Sequence, residues 1–153
     1  MAIVAYYFFN LHTKNTNNQR KFEAFTQRKK DALPIKLQAY ERMLLFCERI
    51  NPIKLVVRIK PIGESTEDYL QLLIKNVEQE FEHNTVQQIY ITDDCWNLII
   101  TAKTASINKL KTIANQSLNT QAFREKILNV YQHESPATDT AIAFIKSEVK
   151  KLI

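Results

Sequence analysis

The sequence predicts an all-α domain of four to five packed amphipathic helices, with a basic helical arm at its N-terminus. Three observations predict it. Among 153 residues there are one glycine and four prolines. A β-rich chain of this length would need repeated glycine-bearing turns, whereas helices joined by short connections do not. Apolar residues recur every three or four positions over long stretches, which is the period of one helix face. Residues able to cap helices stand just ahead of several of those stretches. With 45% hydrophobic residues, the chain can build one core.

The chain opens with Ala2-Ile3-Val4-Ala5-Tyr6-Tyr7-Phe8-Phe9, which is wholly apolar or aromatic. As a helix this run covers about 12 Å, too little for a hydrocarbon core about 30 Å thick. No basic segment precedes it and no small-residue cleavage site follows, so it does not read as a signal peptide. Residues 1–9 read either as the last turns of a membrane helix or as the apolar start of a helix packed on the domain. Aromatics in an interfacial belt, followed by basic residues, fit the first reading.

Residues 10–32 are polar, Asn-rich and basic, which predicts a solvated helix or a fraying linker. Its basic residues are Lys14, Arg20, Lys21, Arg28, Lys29 and Lys30, against Glu23 and Asp31, a net charge of +4. Residues 33–153 hold 15 basic and 14 acidic residues, a net +1. The surplus charge therefore belongs to the arm. Near anionic headgroups each basic residue contributes roughly 1 kcal/mol.

The body, 33–153, follows. Leu33, Leu37, Tyr40, Leu44 and Cys47 share a face of a helix over 33–50, with Pro34 in its first turn and Asn51-Pro52 as its end. The β-branched run near 55–59 predicts a short extended segment, and Pro61-Ile62-Gly63 a turn. Ser65 caps the next helix, whose face is Leu70, Leu73, Ile74, Val77 and Phe81. Asn84-Thr85 is a break, followed over 86–91 by a helical turn or an extended link. Thr92 caps a helix running to about Ser117, with Asp93 and Asp94 in its first turn. A shorter helix covers 121–132. Ser135-Pro136 starts the last one, with Lys150 and Lys151 at its C-terminus.

Several chemistries find no support. With Gly63 alone there is no phosphate-cradling loop and no dinucleotide fingerprint. Cys47 and Cys95 form no CxxC pair and read as free thiols, Cys47 as a core residue. Glu80 and His83, at i and i+3, have the spacing used in di-iron carboxylate bundles, but no second Glu-x-x-His exists. No catalytic residue, metal or cofactor is assigned. His12 and His133 read as solvated. Nucleic acid is disfavoured, because binding usually needs a basic face on the folded body; the arm alone would bind it weakly.

The run from Leu33 to Pro52, together with Glu80-Phe81-Glu82-His83-Asn84, Gln87-Gln88-Ile89-Tyr90-Ile91 and Trp96, resembles a family of uncharacterised Bacteroidota proteins. The resemblance implies an N-terminal membrane helix and a helical cytoplasmic domain on the inner membrane, with only the tail of that helix present in this chain. It implies no activity. The expected function is a non-enzymatic, membrane-associated interaction or scaffold module with an unknown protein partner. The candidate polar cluster is Tyr40, Glu41, Arg42, Glu80, His83, Asn84, Gln88 and Trp96, either a site or a buried network that fixes helix register. The alternatives are a metal- or small-ligand-binding protein using Glu80 and His83, and weak nucleic-acid binding through the arm.

Overall fold

A computed structural model describes the backbone of residues 2–153 and the side chains of residues 14, 16 and 18–153. The readings of the apolar run 1–9 as a membrane or packing element, and of His12 as solvated, lie outside the described side chains. The described chain is all-helical and divides into two units, Met1–Lys36 and Leu37–Ile153.

The described residues form six α-helices and one 3-10 helix, more than the four to five expected. Helix α1 covers Ala2–Ile50, α2 Pro52–Arg58, α3 Thr66–Asn84, α4 Asp93–Asn115, α5 Thr120–His133 and α6 Ala137–Leu152; the 3-10 helix is Thr85–Ile89. The extra helix is α2, where an extended segment was expected. Asn51 decides it: its side-chain oxygen accepts from the Ile53 and Lys54 amides at 3.1 and 3.5 Å, and Pro52 sits at the start of the helix. A lone strand would have left its backbone groups unpaired, which costs more than the modest helix penalty of β-branched residues. Only Ile59 is extended, and its carbonyl accepts from the Tyr69 hydroxyl at 2.6 Å.

Leu33–Ile50 is helical, but no helix begins there. Pro34 lies inside α1. Its missing N–H leaves the Lys30 carbonyl without a helical partner, and both residues are exposed to solvent that can replace it. Ser65 and Thr92 cap as expected, accepting from the Asp68 and Cys95 amides at 3.2 and 3.3 Å. Asn119 caps α5, accepting from the Ala122 amide at 2.8 Å. At α6 the expectation fails: Pro136 itself occupies the cap position and Ser135 makes no cap. The segment after Asn84 is the 3-10 helix, which bonds i to i+3 and suits short connections.

In the second unit α6 packs on α4, which also contacts α3 and α5, while α2 packs on α5. The core joins Met43, Phe46 and Ile50 of α1 to Leu55, Leu73, Ile99, Leu110, Phe123, Ile127 and Ile145, all essentially inaccessible. Each such side chain contributes about 1.5–3 kcal/mol relative to exposure. Phe81 links two aromatics: its ring stacks on Trp96 at 5.4 Å and tilts against Phe46 at 5.8 Å.

Candidate functional site

The first unit concentrates its chemistry on one side of α1. At about 100° per residue, Lys14, Lys21, Phe22, Phe25, Arg28 and Lys29 fall within roughly a third of the helix circumference. Glu23 and Asp31 fall outside that sector, with Arg20 and Lys30. Phe22 is 72% exposed and Phe25 58%. The Lys29 ammonium lies 4.8 Å from the Phe25 ring centroid, so cation and aromatic form one patch. Gln27 donates to Asp31 at 3.0 Å on the other side. The arrangement is a cationic–aromatic face free of carboxylates.

In the second unit the eight residues of the candidate cluster take separate surroundings. Glu80 is engaged by two guanidinium groups: Arg49 Nε donates at 2.7 Å and Arg58 Nη1 at 3.5 Å. Arg58 also donates to the Arg49 carbonyl at 3.1 Å, tying α2 to the end of α1. Asn84 donates to the Glu80 carbonyl at 2.7 Å, closing the last turn of α3. His83 and Gln88 are exposed, as are Glu41 and Arg42. Trp96 stacks on Phe81, whose other neighbours include the Lys103 ammonium at 4.3 Å from its centroid.

Tyr40 belongs to a different network. It is buried, with Thr92 and Glu148 beside its hydroxyl. Glu148, also buried, accepts from the Thr92 hydroxyl at 3.0 Å and from the Lys151 ammonium at 2.6 Å. The Lys151 and Thr92 hydrogen bonds hold the Glu148 carboxyl below its ordinary range. Burial pushes the Tyr40 hydroxyl up. The network joins α1, the cap of α4 and α6. Thr92, Glu148 and Lys151 are distant in sequence from Tyr40, and no local pattern brings them together.

Other chemistry is quiet. Burial pushes the Cys47 thiol up to about 12 and the Cys95 thiol up to about 11, so neither is a nucleophile at neutral pH. Among the described residues no group of three or more His, Cys, Asp or Glu could hold a metal ion. Two guanidinium groups on Glu80 make that carboxylate a poor cation ligand. Among the described residues no helix is long and apolar enough to cross a membrane, so the expected transmembrane helix is not found there.

No curated protein and no solved structure matches the chain. A family of unknown function, DUF7935, matches it over residues 1–152. The whole helical chain, arm and body together, therefore belongs to the DUF7935 family of unknown function.

Proposed function

We propose that this chain is a non-enzymatic interaction module working at a membrane surface, with the cationic–aromatic face of residues 14–29 against anionic headgroups and the unit 37–153 offered to a protein partner. The observation that carries the reading is the sorting of charge on α1. Four cations and two exposed phenylalanines share a sector from which both carboxylates of the segment are absent. A solvated helix with no ligand has no need to sort charge in this way. A surface-bound helix does, because its cations meet phosphates while its aromatics enter the headgroup boundary.

The apolar run 2–9, directly ahead of the basic segment in sequence, supports an anchor. So does the resemblance to Bacteroidota proteins with an N-terminal membrane helix. The positive-inside rule and the anionic inner leaflet favour the cytoplasmic face of the inner membrane. The reading through Glu80 and His83 has no comparable support, since Glu80 faces two arginines.

Co-sedimentation of the full chain with vesicles tests the proposal. Vesicles containing phosphatidylglycerol should bind it, pure phosphatidylcholine vesicles much less, and added salt should weaken the binding. At roughly 1 kcal/mol per cation, the triple variant Lys21→Glu/Arg28→Glu/Lys29→Glu should lose about 100-fold or more in affinity. Equal binding to both vesicle types, or binding indifferent to the triple reversal, would remove the basis for the reading. Duplex DNA that displaced the vesicles at equal charge would replace lipid with nucleic acid.

A further inference from the structure

Within the second unit, α1 and α6 enclose a groove of about 310 Å³ whose lining surface is wholly apolar. One wall is Tyr40 and Leu44, and the other is Ile145 and Val149; the nearly buried Tyr40 and Ile145 form its floor, and the half-buried Leu44 and Val149 are its accessible edges. Each pair is spaced i, i+4, so both walls repeat at one helical turn. A third helix presents side chains at the same repeat, and ridges of that spacing fit grooves of that spacing. Three charges rim the groove: Glu41 on α1, and Lys146 and Lys150 on α6. All three are exposed. None has an ion-pair partner among the described residues. Lys151, by contrast, is committed to Glu148. The two free lysines are themselves one turn apart and line the same edge.

We propose that this groove is a docking site for an amphipathic α-helix of a partner protein, whose apolar face fills the groove and whose carboxylates run along α6. The charge pattern selects this occupant. Lys146 and Lys150 call for acidic residues one turn apart on the guest's α6-facing edge, and Glu41 disfavours acid on the opposite edge. The apolar walls call for aliphatic side chains between those edges. The inference rests on reading the chain as an interaction module, but it uses residues that the membrane proposal does not.

Fluorescence anisotropy on the full chain tests it with two labelled synthetic helices. Both carry leucines on one face; one carries glutamates along an edge of that face and the other carries lysines there. The glutamate peptide should bind saturably and at least about tenfold more tightly than the lysine peptide. The variant Lys146→Glu/Lys150→Glu, confined to exposed positions, should reverse that preference. Val149→Trp, with its fold checked by circular dichroism, should weaken both peptides by occupying the groove. Phosphatidylglycerol-vesicle binding by the double lysine variant should be unchanged, which separates this site from the arm. Equal affinity for the two peptides, no binding of either, or indifference to the double reversal would overturn the proposal. So would a concentration-dependent dimer in sedimentation velocity that the double reversal dissolves, because the occupant would then be a second copy of this chain.

Discussion

The two units of this chain spend their residues in opposite ways. From Lys14 to Lys36 no described side chain is buried, and Phe22 and Phe25 stand in solvent. From Leu37 onward the aromatics mostly enter or border a core, and the charges nearly cancel. A helix without burial gains little from tertiary packing, the main source of helical stability in proteins. Its sequence is then free to be shaped by what it touches, and the sorted cations of the first unit are that freedom put to use. In the second unit packing constrains nearly every third or fourth residue, and free chemistry survives only at edges such as the groove rim.

The comparison is sharpest for phenylalanine. Phe46→Ala should remove about 3–5 kcal/mol of unfolding free energy in urea titrations, because the ring is fully buried against Phe81 and the surrounding core. Phe25→Ala should stay within about 0.5 kcal/mol while weakening anionic-vesicle binding. If both substitutions destabilised equally, the first unit would be part of a core and the contrast would collapse.

A smaller effect concerns Glu148. Its carboxyl is held below the ordinary value by Lys151 and Thr92. The unfolded state therefore binds the proton more readily, and the stabilisation is complete above the ordinary carboxylate value. It disappears as pH falls through the depressed native value. Glu148→Gln should cost about 1–3 kcal/mol at pH 7, and the gap to the native protein should close in acid. Thermal melts across that range measure it; a gap independent of pH would mean that the ionised carboxylate contributes nothing.

The smallest effect falls at Gly63. Its φ is not positive, and an added Cβ would meet nothing within 4 Å. Gly63→Ala should therefore stabilise by about 0.4–1 kcal/mol through the unfolded chain. A loss of stability would show that the connection between α2 and α3 needs glycine's freedom.

Much of this fold was legible in the sequence. The faces Leu70–Leu73–Val77 and Phe123–Ile127 are helical periodicity alone, and Ser65 and Thr92 are caps that act within three residues of themselves. The misreadings share a cause. Val56, Val57 and Ile59 carry β propensity, yet Asn51 supplied the hydrogen bonds that start a helix. Pro34 signals a helix start, yet an exposed position tolerates it inside α1. In both, the environment overruled a weak local preference. The cluster expected around Glu80 and Tyr40 came apart because one sequence does not tell which helices face each other. Lys146 and Lys150 beside Ile145 and Val149 were the readable hint of the groove rim, a pair of lysines flanking an apolar stripe.

By itself, the sequence determined that the chain is helical, where most helices are capped, which faces are apolar, and that its excess positive charge lies before residue 33. These properties act over a few residues, through periodicity, capping and composition. Only the tertiary structure decided that Tyr40 meets Thr92 and Glu148, that Arg49 and Arg58 close on Glu80, and that α1 and α6 leave an apolar groove between free charges. Such pairings depend on which faces are left after every helix has buried its own, and that remainder is a property of the assembled core.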